Sequence, residues 1–240
     1  MYTFNSRVRY SEVNSNCYLT LSNIANYFQD CTTFHSEDIG VGVEHSHRLK
    51  RAWVLNSWQI IVNRFPRLSE EISISTWATT NKGIYGNRNF VLRDKDGNDL
   101  AVANAIWIYL DTEKGTPCRL TDDIMDPYGT APAYPMEYAP RKINLPEGLI
   151  EKERVTITPL YIDSNNHVNN TQYLKIAESC LPADFAIRQM RAEYRSSAHL
   201  GDIILAKTSQ QDNLFTVSLE NPEGLVFAIV EYTKMPGSKA

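Results

Sequence analysis

The 240-residue chain carries 24 Lys and Arg against 28 Asp and Glu, a net charge of −4, with 42% apolar and 22% charged residues. That is ordinary globular composition, enough for one large domain or two small ones, and it excludes a disordered chain or a coiled coil. The acidic balance argues against general nucleic-acid binding, and no apolar run approaches a membrane span.

The opening segment, from Met1 to Val13, reads as strand and lacks the basic start and apolar run of a secretion signal. Four cysteines (Cys17, Cys31, Cys118, Cys180) stand far apart without a CxxC pair. Reduced thiols in a cytoplasmic protein, with no structural zinc, are the expectation. Arg7–Glu12 has a short strand pattern. After the polar Asn14-Ser15-Asn16, Leu21 to Cys31 reads as a helix with Ile24, Phe28 and Cys31 on one face. Strands are expected at Ala52–Phe65, Ile72–Thr80, Tyr85–Arg93 and Leu100–Leu110, the last two joined by the turn Asp94-Lys95-Asp96-Gly97-Asn98. His45 and His47 fall between elements with no further metal ligand nearby, which predicts loop histidines. From Pro117 to Pro146 prolines recur and predict irregular connecting chain.

The pattern then restarts. Arg154–Ile162 reads as strand, Asp163–His167 as polar loop, and Asn169 to Cys180 as a helix with Tyr173, Ile176 or Ala177, and Cys180 on one face. Strands follow at Phe185–Arg195, Ile203–Ser209, Leu214–Leu219 and Leu225–Lys234. At an offset of 149, Val13-Asn14-Ser15-Asn16 falls on Ile162-Asp163-Ser164-Asn165, Tyr18 on His167, Ser22 on Thr171 and Cys31 on Cys180. Each half is strand, loop, helix, then several long strands, so the chain is a duplication. The expected fold class is α+β: a tandem (double) hotdog, each half an antiparallel sheet packed on a central helix. Residues 1–125 would form the N-terminal hotdog, 126–150 a linker and 151–240 the C-terminal hotdog.

The copies differ where chemistry would need them to. The first has Asn14, Asn16 and Tyr18; the second has Asp163, Asn165 and His167, a carboxylate and an imidazole. An imidazole accepts and returns protons near neutral pH. Asp163 can orient that ring, act as base or attack directly, and Asn165 can donate a hydrogen bond. Asn169 and Asn170, at the start of the helix, are candidate supporting residues. Asp, Ser and Asn before a helix are also frequent caps and turn formers, which is the plainer reading of such a segment taken alone.

Asp163-Ser164-Asn165-Asn166-His167-Val168-Asn169-Asn170, followed by Tyr173, resembles the D-x-N-x-H-V-N-N-x-x-Y motif of the plant and bacterial acyl-ACP thioesterases. Trp53-Val54-Leu55, Pro66 to Glu71, Thr76-Trp77, Arg88-Asn89-Phe90, Asp96-Gly97 and Trp107 to Asp111 are similar to that family's first half. The resemblance implies hydrolysis of fatty acyl-ACP to free fatty acid and holo-ACP without metal or organic cofactor. It also implies catalytic roles for Asp163, Asn165 and His167, with acyl carrier protein as partner; a double hotdog already contains the pair that single hotdogs make by dimerising, so a monomer or homodimer is expected. One departure is plain: where plant members carry Glu then Cys, this chain has Ser197 and Ala198. A cysteine nucleophile and a second carboxylate are thus missing there, and Ser197 can at most position a water. Glu178, eleven residues past His167, is a further candidate base, although an exposed helix charge is the commoner case. Arg48, Lys50 and Arg51 form a basic cluster suited to an acidic carrier, though solvated surface is the simpler expectation. Rival readings are an acyl-CoA thioesterase on the same fold, a non-catalytic acyl-thioester binder, which has no need of the Asp163, Asn165 and His167 set, and a hotdog dehydratase.

Overall fold

The computed structural model describes residues 1–236, Asn81 by its backbone alone. Its first elements are β1 (Tyr2–Arg7), a 3-10 turn (Tyr10–Glu12), α1 (Leu21–Asp38), α2 (Val43–Leu49) and β2 (Arg51–Val62). Four antiparallel strands follow, β3 (Glu71–Lys82), β4 (Tyr85–Asp94), β5 (Asp99–Asp111) and the two-residue β6 (Thr116–Pro117), then α3 (Asp122–Met125). The chain is irregular from there to β7 (Ile150–Thr156), apart from the 3-10 turn Asp126–Tyr128. A 3-10 turn (Pro159–Tyr161), α4 (Asn170–Ser179) and the strands β8 (Ile187–Tyr194), β9 (Ile203–Gln211), β10 (Leu214–Glu220) and β11 (Val226–Lys234) complete it.

Backbone contacts divide the chain into two units. One holds Met1–Asn56 and Val62–Tyr138; the other holds Ser57–Ile61 and the chain from Ala139 onward. In the first, β1-β3-β4-β5 run side by side with β6 on β5. α1 lies on this sheet by its Ile24, Phe28 and Cys31 face, all buried; Phe28 meets the Phe90 ring at 5.1 Å, and the Cys31 thiol donates to the Ile74 carbonyl. In the second, the order is β8-β11-β10-β9-β7, and Ser57–Ile61 of β2 pairs with β8. α4 buries Tyr173, Leu174, Ile176 and Ala177 against that sheet, where the Tyr232 hydroxyl donates to the Leu174 carbonyl. A helix laid on an antiparallel sheet, twice, is the expected double hotdog.

Several boundaries differ from the sequence expectation, each for a local reason. The first strand ends at Arg7, because the Glu12 carboxylate accepts from the Arg9 amide and folds Tyr10–Glu12 into a turn. Pro159 opens the matching turn, so β7 stops at Thr156 instead of reaching Ile162. α1 runs on to Asp38, its buried stripe continuing through His35. His45 and His47 sit on α2, not in a loop.

Candidate active site

The second unit builds a tight loop between its 3-10 turn and α4. The Asp163 amide donates to the His167 carbonyl at 2.8 Å, and the Asn166 amide returns to the Asp163 carbonyl at 3.1 Å. The Asp163 carboxylate accepts from the Asn165 amide at 2.8 Å, an Asx turn. Asn166 takes φ +61°, the left-handed region that asparagine tolerates better than most residues. Ile162 and Val168 close the loop as an isolated β-bridge. Asn169 then caps α4: its side-chain oxygen accepts from the Thr171 amide at 2.9 Å and the Thr171 hydroxyl at 2.8 Å. Amides of the first helical turn have no intrahelical acceptor and carry the positive end of the helix dipole, so this end of α4 favours a developing negative charge.

The first unit makes the same loop from different letters. Asn14 donates to the Tyr18 carbonyl at 2.8 Å, Cys17 returns to Asn14 at 2.9 Å, and the Asn14 side chain accepts from the Asn16 amide at 3.0 Å. Val13 and Leu19 form the bridge, Cys17 takes φ +61°, and Thr20 is the helix cap. An uncharged Asn14 therefore makes this turn as well as Asp163 does. The negative charge at position 163 is not required by the backbone, and neither is the imidazole at 167.

What lies beside His167 was not foreseen from the sequence. The His199 ring meets it at 4.9 Å between centroids with the planes 75° apart. His199 sits in a second turn, where its amide donates to the Asp202 carboxylate at 2.8 Å and its Nδ1 lies 3.9 Å from the same oxygen. Gly201 supplies a φ of +89° there. This turn too is duplicated, now at an offset of 132. Pro66-Arg67-Leu68-Ser69-Glu70 repeats Ala198-His199-Leu200-Gly201-Asp202, with the Arg67 amide on the Glu70 carboxylate at 2.9 Å and Ser69 at φ +67°. In the first unit Arg67 stands over the Tyr18 ring at 4.9 Å and donates to its hydroxyl. The signal was in the letters, but the change of offset hid it. Tyr173 of the motif ties the two turns of the second unit together: its buried hydroxyl accepts from the Ala198 amide at 2.8 Å, and the Val168 amide donates to the Ala198 carbonyl at 3.0 Å. Burial pushes the Tyr173 phenol up to about 12, so it stays protonated.

The remaining candidates fall as follows. Asp163 and His167 are half-buried, while Asn165 and Ser197 are exposed. Among the described residues, no hydrogen bond joins the Asp163 carboxylate to the His167 ring. Asn170 offers its carbonyl to the Tyr194 hydroxyl at 3.1 Å. Glu178 lies in the last turn of α4, half-buried where an exposed charge was expected, roughly 12 Å along the axis from the end that bears His167. In the basic cluster, Lys50 pairs with Glu113 and Arg51 with Asp111, which leaves less free charge than the sequence suggested. Among the described residues, no group of three or more His, Cys, Asp and Glu is arranged to hold a metal ion. No helix there is long and apolar enough to cross a membrane.

Residues 1–128 match the family model of the acyl-ACP thioesterase N-terminal domain, and residues 150–228 that of its C-terminal domain. The chain belongs to the acyl-ACP thioesterase family. An oleoyl-acyl carrier protein thioesterase of Coriandrum sativum, chloroplastic, is 23% identical over 225 residues, covering 85% of this chain and 61% of its own length. The chain thus spans about three fifths of such curated relatives. An acyl-ACP thioesterase of Bacteroides thetaiotaomicron has the same fold at a TM-score of 0.89, with 23% identity and 97% of each chain covered. A 12:0-ACP thioesterase of Umbellularia californica follows at 0.81, with 19% identity, 98% of this chain and 97% of its own. These thioesterases share the double hotdog with this chain.

Proposed function

We propose that the protein hydrolyses fatty acyl-ACP thioesters to free fatty acid and holo-ACP, with Asp163, Asn165 and His167 as its reacting set. One observation carries this reading. Two loops of the same backbone geometry occur in one chain, and only the second bears a carboxylate and an imidazole, at the start of a helix. His167 takes a proton from water as its oxygen attacks the thioester carbonyl. The oxyanion gathers at the positive end of the α4 dipole; the Asn169 cap already takes the Thr171 and Gln172 amides, so any further well-aimed donor there contributes about 3–4 kcal/mol. The carbon–sulfur bond then breaks, and His167 returns the proton to the departing thiolate. Asp163 favours the imidazolium by its charge or attacks the carbonyl itself; recovery of an acyl-enzyme after rapid denaturation would select the second role. Asn165 donates from the exposed side of the loop. The 1–125 half, whose matching loop has Asn14 and Tyr18 in place of the carboxylate and imidazole, holds much of the acyl chain, and 151–240 does the chemistry. Four free cysteines suit a reducing compartment such as the cytoplasm.

Assay of a panel of acyl-ACPs, with release of the carrier thiol as readout, tests the activity. His167→Ala is expected to lose at least about 10²-fold in kcat. Full turnover by a folded variant would overturn the role of His167. The same acyl groups on CoA should show lower kcat/KM; the reverse would make the chain an acyl-CoA thioesterase.

A further inference from the structure

The geometry points to His199, steadied by Asp202, as a positioning residue for His167. The inference rests on the hydrolytic reading above and deepens it at the same site. At the place where plant members carry a second carboxylate this chain has only the exposed Ser197. Two residues further on, a second imidazole meets the His167 ring edge-to-face at 4.9 Å. The contact is built: one bond joins the two turns, a second ties the His199 turn to α4, and a third holds that turn together. Val168 donates to the Ala198 carbonyl, Ala198 donates to the buried Tyr173 hydroxyl, and His199 is anchored to Asp202 by its own amide.

The chemistry follows from where charge appears. When His167 accepts a proton it becomes a cation beside a second ring, and an aromatic face, the negative side of the ring quadrupole, attracts a cation. Behind that ring stands the Asp202 carboxylate, 3.9 Å from Nδ1, an ion-pair distance too long for a hydrogen bond. The Asp202 and Asp163 carboxylates both act on the Tyr173 phenol of α4, raising it further after burial. His199, anchored by Asp202, thus holds the His167 ring in one orientation for the proton transfer. The first unit makes the same turn with Arg67 and Glu70, so neither the imidazole nor its orientation is needed for folding.

The test is His199→Ala in the full chain, with Asp202→Asn beside it, on acyl-ACP across a pH range. Alanine keeps the amide that anchors the turn, so the thermal midpoint should match wild type. The expected result is a loss of kcat of about ten- to a hundredfold with KM little changed. Added imidazole should restore part of the rate, and Asp202→Asn should show the same signs more weakly. Wild-type kcat in a folded His199→Ala would overturn the inference alone, as would a loss confined to KM. A wild-type protein inactive on every acyl-ACP would overturn the hydrolytic reading and this one with it.

Discussion

Asn14 and Asp163 occupy the same turn and make the same bond to the amide two residues on, yet only Asp163 brings a charge. A buried residue in the first unit shows the opposite economy, an ionisable group kept neutral. His35, on the buried face of α1, lies 3.0 Å from the Arg88 guanidinium and stacks on Tyr2 at 5.3 Å. Burial, then the Arg88 charge, lower its imidazole to about 4, and burial lowers Arg88 itself to about 10. A histidine lowered in the folded state binds its proton more readily when unfolded. Its contribution is therefore present above the ordinary value near 6.5 and is lost as pH falls from there toward 4. Wild type should lose on the order of 3 kcal/mol through this group between those limits. His35→Asn should be less stable at neutral pH but show a shallower acid decline. Urea midpoints at pH 7 and pH 4.5 check this, and parallel declines would refute it.

At the scale of elements, the two helices start alike. Thr20 caps α1 and Asn169 caps α4, each followed by a hydroxyl, Ser22 or Thr171, that bonds back to the cap. Asn169→Ala should cost about 1 kcal/mol of stability, and Asn169→Asp should restore it. Denaturant unfolding of both variants reads this out. Equal stability of all three proteins would mean that the cap contributes nothing. The helices were legible because their buried faces recur at helical spacing: Ile24, Phe28 and Cys31 in one, Tyr173, Ala177 and Cys180 in the other. Their lengths were not. α1 continues past Cys31 because His35 is polar by letter but buried by context. The 3-10 turns Tyr10–Glu12 and Pro159–Tyr161 were read as strand because a local carboxylate bond or a proline, not periodicity, decides them.

For the molecule as a whole, the same loop occurs twice and only the second carries a carboxylate and an imidazole. The prediction is an asymmetry. Tyr18→Phe, which removes the hydroxyl that Arg67 bonds, should leave kcat within about twofold, whereas His167→Ala at the matching position loses at least about 10²-fold. Steady-state kinetics of the pair decide it. Comparable losses in both would mean that the first loop also takes part in turnover. β2 shows the limit of reading the halves as separate blocks: its Ser57–Ile61 pairs with β8 and belongs with the second unit, although the strand lies deep in the first half of the chain.

The amino-acid order alone determined the duplication, the helix faces, most strands and the loop Asp163–Asn170, because each is written in local spacing: side-chain period, turn residues, an offset of 149. Only the folded chain brought His199 and Asp202 to His167. Their turn belongs to the same repeat, but the interval between helix and turn differs in the two halves, so the offset becomes 132 and the alignment breaks. Which residues meet across that interval is set by the packing of Tyr173 and the bonds of Ala198, long-range contacts that no spacing along the chain records.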